Sequence, residues 1–571
     1  DFHDLVYDSK RRIMALSLAS EINVLAWQLN NLSERDRRFR DFTLYALRDA
    51  LREVIACFPV YRTYIDGGQV SDRDRAQIEI AVAWARRRNP ASEPSIFQFI
   101  RQVLLMEAMD SEDQEGQQLQ LRFVQKVQQT TGPVMAKAVE DTAFYTYNRL
   151  VSLNEVGGEP DAFGVSVPAF HRLNAERLRH WPHSLLSTST HDTKRSEDVR
   201  ARISVLSELP REWSAALTRW SRLNRRHKPL VDGDPAPSRN DEYLLYQILL
   251  GAWPLEDLDG ETRATLVGRI QEYMGKATRE AKVHTSWINP NEGYDAAILE
   301  FVAAILDPKR STPFLTDLVR LQRTVARVGA AGSLGQTLLK LTVPGVPDVY
   351  QGNELWDLSL VDPDNRRPVD YRLRKRHLDA LQRVLAPADS AKAPAAKRLG
   401  GGNTGYADIP EPDAHRRLAR RLTDTWTDGR IKLYLTTRAL GLRRAHPELF
   451  QRGSYLPLTA AGPLDEHLCA FARELDDGQV IVAVPRLVAR LMDEPADPEQ
   501  YGPLRFRAGA WSTTVLQLPD RPGLRYRSLL TGEVVETVEA KAGTLAGARS
   551  VLPLGTLLAD FPVILLVRET P

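Results

Sequence analysis

Hydrophobic residues recur at helical spacing through the first part of the chain. Residues 10–29 carry them at Ile13, Leu16, Ile22 and Leu25, and residues 42–55 repeat the pattern. Residues 72–130 are again helical in pattern, polar, and rich in Gln and Arg. Apolar positions three and four residues apart predict amphipathic helices that each bury one face.

Four short runs, rich in β-branched and aromatic residues or bounded by turn residues, interrupt the helices and predict strands. They cover residues 57–65, 133–139, 185–190 and 341–350, and well over a hundred mostly helical residues separate the last two. Polar and aromatic residues follow each run, as in an α/β barrel whose active-site groups lie on loops after the strands. Four strands alone would leave two unpaired edges. The pattern therefore predicts the second half of a (β/α)8 barrel.

The pattern changes again beyond residue 385. Residues 386–412 have little apolar bulk and predict a linker or surface loop, and a helix is predicted over 430–445, ending near Pro447. From residue 453 onward, short alternating runs predict an antiparallel β-sandwich. These runs are 467–473, 479–484, 504–506, 512–518, 526–530 and 561–568.

Composition narrows the class of protein. The 571 residues are 43% hydrophobic and 26% charged, with 76 Lys plus Arg against 74 Asp plus Glu, which is typical of a soluble globular protein of three to five structural units. The balanced charge argues against a nucleic-acid binder, and no apolar run approaches the roughly 20 residues of a membrane span. Cys57 and Cys469 are too few for a disulfide framework or a four-Cys zinc site and fit a cytoplasmic protein.

The strongest chemical signal lies just after the third predicted strand. His191, Asp192, Lys194 and Arg195 fall within five residues there. The plain alternative is that Thr193 or Ser196 caps the next helix and the two cations are solvated. Further polar and aromatic residues lie in or just after the other predicted strands, namely Tyr61, Arg62, Lys137, Glu140, Asp141, Tyr145, Tyr350 and Gln351. Rings and charged groups converging on one face would suit a sugar. The sequence has no phosphate-binding glycine loop and no metal-ligand spacing.

The loops containing His191–Asp192 and Tyr350–Gln351 resemble the last two barrel loops of the α-amylase family of glycoside hydrolases. Within it, long stretches resemble the maltooligosyltrehalose synthases, (1→4)-α-D-glucan 1-α-D-glucosylmutases. The resemblance runs from about residue 1 to the C-terminus. The stretches that carry it are 131–145 (TGPVMAKAVEDTAFY), 152–158 (SLNEVGG), 188–200 (TSTHDTKRSEDVR), 285–294 (TSWINPNEGY) and 354–370 (ELWDLSLVDPDNRRPVD).

The resemblance implies a retaining mechanism in which an Asp attacks the anomeric carbon and a Glu protonates the leaving oxygen. The reducing-end glucose stays in the pocket and attacks through its own 1-OH, so that an α-1,4 link becomes α,α-1,1. This chemistry implies a maltooligosaccharide substrate and no cofactor, nucleic-acid or membrane partner. A trehalohydrolase is implied only as the next enzyme of the pathway.

The resemblance also assigns residues. Asp192 is the expected third carboxylate, which holds sugar hydroxyls as the transition state forms, and His191 would bind the same sugar. The other candidates named above are expected around them. The nucleophile and acid/base belong to earlier strands, and the sequence contains no Gly-x-Arg-x-Asp pattern before a helix. We expect this chain, which begins without Met, to be the C-terminal portion of the enzyme and inactive alone. A rival hypothesis is that Glu140 or Asp141 supplies the missing carboxylates.

In the expected (β/α)8 barrel, residues 1–56 form a helical segment after the fifth strand. Residues 57–385 contain barrel strands with helical insertions. The linker at 386–412 would then lead to the last barrel helices at 413–452 and the β-sandwich at 453–571, which could be structural or bind glucan. Two other functions remain open. One is an α-glucan hydrolase of the same superfamily, such as an α-amylase or trehalohydrolase, and the other is a non-catalytic glucan-binding protein.

Overall fold

The chain divides into two compact units, described separately below. Unit 1 comprises residues 1–149 and 275–295, and unit 2 comprises 150–274 and 296–571. The structure is a computed structural model. It describes residues 1–109, 113–385, 412–497, 499–540 and 548–569.

Unit 1 is helical, as the apolar spacing predicts. Its core gathers buried side chains from several helices, including Leu25, Leu51, Phe99 and Val127. Thr43 caps the third helix and Ser71 caps the fourth, each accepting from the N–H three residues on. The helices are α1 (Phe2–Leu16), α2 (Ala19–Glu34), α3 (Leu44–Ala56), α4 (Asp72–Arg88), α5 (Pro94–Leu104) and α6 (Gln114–Met135).

The strand predicted over 57–65 is wrong. Cys57 ends α3, and residues 58–65 form no strand in the part of the chain that the structure describes. The backbone of Ile65 is paired instead with one side chain. Its N–H donates to Oε1 of Gln128 (2.7 Å), and its carbonyl accepts from Nε2 of Gln128 (3.0 Å). A glutamine amide carries the same donor and acceptor as a peptide group, so it satisfies this buried backbone without a second strand.

The strand predicted over 133–139 is also wrong. Helix α6 continues through this run to Met135 and passes into one turn of π-helix, Ala136–Glu140. Val134 and Ala138 are both buried and four residues apart, which is the spacing of one helix face. A short apolar run fits both the strand and the helix periodicity, and here the burial of one helix face shows that it is helical.

Unit 2 contains most of the remaining helices and all the strands within the described residues. Helices α11 and α12 each cross a boundary between the units. The helices are α7 (Val167–His180), α8 (Glu197–Ser204), α9 (Pro210–Asn224), α10 (Arg239–Ala252), α11 (Gly260–Ala281), α12 (Glu292–Leu306), α13 (Pro308–Thr342), α14 (Tyr371–Leu385), α15 (Pro412–Asp424), α16 (Arg430–Ala445), α17 (Pro447–Arg452) and α18 (Leu554–Leu557). Helix α16 has the bounds that the sequence predicts.

The third and fourth predicted strands form, although each is only two residues long. Strand β1 (Leu185–Leu186) pairs in parallel with β4 (Val346–Pro347). Between them lie the predicted helices and a small hairpin of β2 (Leu230–Val231) and β3 (Asp234–Pro235). Within the described ranges, no closed barrel is present, and β1 with β4 is the parallel pairing found. The fold is therefore mixed α/β and mostly helical.

The predicted C-terminal β region forms two antiparallel sheets. One has the order β11-β10-β14-β8-β7-β5, and the other has the order β12-β13-β9-β6. The predicted run 504–506 makes only an isolated bridge, between Phe506 and Met492. The strands are β5 (Ser454–Leu458), β6 (Ala460–Ala461), β7 (Leu468–Leu475), β8 (Gly478–Pro485), β9 (Val515–Leu518), β10 (Arg525–Ser528), β11 (Val534–Glu536), β12 (Val538–Glu539), β13 (Ser550–Pro553) and β14 (Ile564–Arg568).

Residues 386–411 of the predicted linker lie outside the described residues. Among the helices that are described, none combines the length and the apolar character that a membrane crossing requires.

Candidate functional site

The loop after β1 is fastened by hydrogen bonds on both sides of residues 191 and 192. The Asp192 N–H donates to Oγ1 of Thr190 (3.2 Å), and Oγ1 of Thr193 donates to the Thr190 carbonyl (3.0 Å). Ser189 accepts from the N–H of Glu197 (2.9 Å). His191 and Asp192 themselves are exposed. The loop therefore presents an imidazole and a carboxylate on a backbone with little freedom.

A third segment joins this loop to the one after β4. Asn365 donates from Nδ2 to the His191 carbonyl (3.0 Å), and its own carbonyl accepts from the Tyr350 hydroxyl (3.4 Å). Tyr350 is half-buried and Gln351 is exposed. Because β1 and β4 run parallel, both loops leave the same end of the strand pair. Asn365 thus links the loop that carries His191 and Asp192 to the loop that carries Tyr350 and Gln351.

Lys194 and Arg195 are buried, so the alternative in which they are solvated is wrong. The N–H of Lys194 donates to both oxygens of Glu155 (2.8 and 3.0 Å). Arg195 donates from Nη2 to the hydroxyl of Tyr273 (2.7 Å). Ser196 caps α8, as that alternative stated. Arg195 lies behind the loop and supports it.

Directly behind the loop, four charged side chains form a buried cluster, which we call the charge cluster. Lys432 places its Nζ 2.7 Å from Oε1 of Glu197 and 2.9 Å from Oδ2 of Asp198. Lys340 lies 3.4 Å from Oε2 of Glu197 and donates to Oγ1 of Thr188 (2.8 Å). All four charged residues are at most 6% exposed. Thr188, which also bonds Glu197, connects the cluster to the loop.

The cluster shifts the pKa values of its members. Burial works against the ionised carboxylate of Glu197, but the Lys432 and Lys340 ammonium groups outweigh it and lower the pKa of Glu197 to about 2. Burial likewise works against the charged form of Lys432, but Asp198 and Glu197 prevail and raise its pKa. Burial raises the pKa of Asp357, whose backbone N–H donates to Asp198 (2.7 Å).

These directions predict how stability depends on pH. The pKa of Glu197 in the folded protein lies below its ordinary value of 4.5, so its contribution is present above that pH and is lost as pH falls toward about 2. The raised pKa of Asp357 has the opposite effect, because its contribution to stability is lost as pH rises. We expect the urea midpoint of a Glu197→Gln variant to fall less steeply over this range than that of the parent, measured by circular dichroism. The exposed carboxylate variant Asp379→Asn should keep the parental slope, and equal slopes for all three proteins would contradict the prediction.

In unit 1, the π-helical turn brings other candidates together. The Tyr61 hydroxyl donates to Glu140, which is 6% exposed. Lys137 lies 2.8 Å from Oδ2 of Asp141, four residues away. π-Helical turns often occur at functional sites, because the extra residue changes where neighbouring side chains point. Glu140 and Asp141 contact different partners here.

The remaining unit 1 candidates differ in exposure. The Arg62 guanidinium is exposed and lies 4.5 Å from the centre of the Tyr64 ring. Tyr145 is only 2% exposed and forms part of the interior. Across both units, no group of three or more His, Cys, Asp or Glu among the described residues is arranged to hold a metal ion.

Sequence reasoning missed Glu155, Asn365 and the charge cluster. Glu155 and Asn365 lie inside the stretches 152–158 and 354–370, but nothing in their spacing shows that they hold a loop. A signal for Lys432 exists, since it interrupts the apolar run Ile431–Leu435 at the start of a predicted helix. A lysine with apolar neighbours on both sides in a helix is an indication of a buried partner.

The chain is thus a mixed α/β protein in which an exposed carboxylate and imidazole lie beside a second polar loop, both loops following parallel strands. No protein-family model matches the chain. Two Mycobacterium tuberculosis proteins, each named "Putative maltooligosyl trehalose synthase", are 39% identical to it over 444 residues, which is 78% of this chain and 45% of theirs.

Comparison with solved structures finds similarity to the same kind of protein. The maltooligosyltrehalose synthase from Arthrobacter ramosus is 32% identical, with a TM-score of 0.72 over 99% of this chain and 58% of that one. A hypothetical maltooligosyl trehalose synthase from Sulfolobus tokodaii is 25% identical, with a TM-score of 0.61 over 99% of this chain and 58% of that one. The chain is a homologue of the maltooligosyltrehalose synthases. It spans about half the length of these relatives.

Proposed function

We propose that this chain acts in the intramolecular transglucosylation that converts the reducing-end α-1,4 link of a maltooligosaccharide to an α,α-1,1 link. The observation that carries the proposal is the exposed His191–Asp192 pair on a fixed loop, in a homologue of the maltooligosyltrehalose synthases. The product would be a maltooligosyltrehalose, an intermediate of trehalose biosynthesis.

In this proposal Asp192 binds sugar hydroxyls next to the bond that is broken. A carboxylate accepts hydrogen bonds more strongly as positive charge develops in the oxocarbenium-like transition state, so it stabilises that state more than the substrate. His191 and the Tyr350–Gln351 loop would bind the same glucan. The Asp nucleophile and Glu acid/base are not assigned to residues of this chain.

We further propose that β1 and β4 are two strands of a (β/α)8 barrel whose other strands are not among the described residues. Leu185 is 76% exposed and Val346 is 41% exposed. Strands of parallel sheets are ordinarily covered on both faces and paired on both edges. A barrel would satisfy these edges, and its loops would place Asp192 at the carboxyl end where substrates bind.

The test is an assay on maltopentaose with the 571-residue chain and with the polypeptide as the source cell makes it. Loss of reducing ends, together with a new α,α-1,1 anomeric signal in NMR spectra, would support the proposal. We expect it from the cellular form and not from the 571-residue chain, which lacks the Gly-x-Arg-x-Asp pattern. Free glucose or trehalose as the main product would instead indicate a hydrolase. Glucan binding without any reaction by the cellular form would indicate a binding protein.

A further inference from the structure

Trp287 is an anchored but exposed aromatic residue in unit 1. It lies in the stretch 285–294, to which no role has been given above, and it is 54% exposed. Its indole N–H donates to Oε1 of Glu280 (3.0 Å), and the Arg279 guanidinium lies 4.9 Å from its ring centre. Arg279 is held in turn by Asp295 at 2.8 Å. The protein therefore fixes the orientation of this ring without burying it.

Hydrogen bonds within the loop that carries Trp287 also restrict its backbone. The N–H of Asn289 donates to Oγ of Ser286 (3.0 Å), and the N–H of Asn291 donates to Oγ1 of the buried Thr285 (3.0 Å). Both bonds span the tip of the loop, one inside the other, and close it as a turn. A stacking surface with few conformations to lose binds a ligand at lower entropic cost.

A continuous series of contacts links Trp287 to the π-helical turn. Glu280 accepts from the indole and lies 3.3 Å from Nζ of Lys282. Lys282 also donates to Oγ1 of Thr142 (3.0 Å) and to the carbonyl of Asp141 (3.4 Å). Asp141 holds Lys137 at 2.8 Å. The side chains of Glu280 and Lys282 are each about a fifth exposed, so solvent and ligands reach them.

We propose that Trp287, with Glu280 and Lys282 beside it, is a binding subsite for a glucose unit of an α-1,4-glucan. The indole N–H is already bonded to Glu280, so the group that Trp287 offers a ligand is its ring face. A ring face packs against the C–H face of a pyranose, while carboxylate and ammonium groups take its hydroxyls. The proposal rests on the proposed function for its choice of glucan, but it concerns binding and not the transfer of glucose.

The experiment measures maltoheptaose binding directly, by saturation-transfer NMR and by tryptophan fluorescence titration of the 571-residue chain. We expect Trp287→Ala to weaken binding about fivefold or more. Trp287→Phe, which keeps an aromatic face, should restore most of the affinity. The matched control is Trp27→Ala, because Trp27 is 60% exposed in the same unit. It should bind as the parent does.

Unchanged unfolding midpoints would show that the variants are folded. Parental affinity in Trp287→Ala would overturn the proposal, as would the absence of any maltoheptaose signal from the parent at millimolar concentration. An equal loss in Trp27→Ala would also overturn it. A cellular polypeptide that forms no α,α-1,1 link, together with maltoheptaose binding that depends on Trp287, would count against the proposed function and leave the Trp287 subsite standing.

Discussion

Replacing Lys432 by methionine is expected to lower the free energy of unfolding by about 3–5 kcal/mol. The substitution keeps most of the side-chain volume but removes the cation that Glu197 and Asp198 share. Lys432 is completely buried, so water cannot replace it. Lys340 stays paired with Glu197 at 3.4 Å, whereas Asp198 loses the ammonium group that contacts it directly. Urea unfolding followed by circular dichroism measures the loss.

The control is Lys375→Met, which removes an exposed pair with Asp379 on α14. Its cost should be within about 0.5 kcal/mol. A triple variant that also carries Glu197→Gln and Asp198→Asn should recover part of the loss, because the unpaired charges are gone. If Lys432→Met costs no more than Lys375→Met, the charge cluster does not stabilise the fold as described.

Asp192→Asn is expected to lower kcat by about 10²–10³-fold or more in whichever polypeptide forms trehalosyl ends in the maltopentaose assay. The amide keeps the shape of the side chain but not the negative charge that favours the transition state over the substrate. KM should change much less than kcat, because the interaction lost is one that strengthens in the transition state. Initial rates over a range of maltopentaose concentrations separate the two.

Because Asp192 is exposed, its variant should unfold at the parental urea concentration. Asp477→Asn, in the exposed turn between β7 and β8, provides a matched loss of one charge and should leave kcat unchanged. An Asp192→Asn protein with at least a tenth of the parental kcat would show that Asp192 is not the third carboxylate.

Local patterns predicted most helices and the C-terminal strands, because their apolar residues follow one clear period. Helix α16 and strands β7 and β8 are examples. The run 57–65 was mispredicted for a reason outside its own sequence. At the end of this run, Gln128 of α6 pairs with the backbone of Ile65 and takes the place of a neighbouring strand there. No local pattern shows that a distant side chain will pair with a backbone.

The residues of the candidate site were likewise only partly predictable from the sequence. His191, Asp192 and Tyr350 could be found from sequence because they follow strands directly. The charge cluster could not, because it joins α8, α13 and α16, which lie up to 235 residues apart (Glu197 to Lys432). Single-sequence reasoning shows a charged residue in an apolar run, but only the packing of helices shows which charge it meets.

Asn365 makes the two site loops mechanically dependent on each other. Its side chain holds the His191 backbone and its carbonyl holds the Tyr350 hydroxyl, so a shift of one loop is passed to the other. The gap between them is then set by a residue whose own side chain is 8% exposed and faces the loops rather than solvent. The 354–370 segment therefore determines the width of a cleft built on these loops. An engineer who wished to admit a bulkier sugar would begin there, leaving both loops untouched.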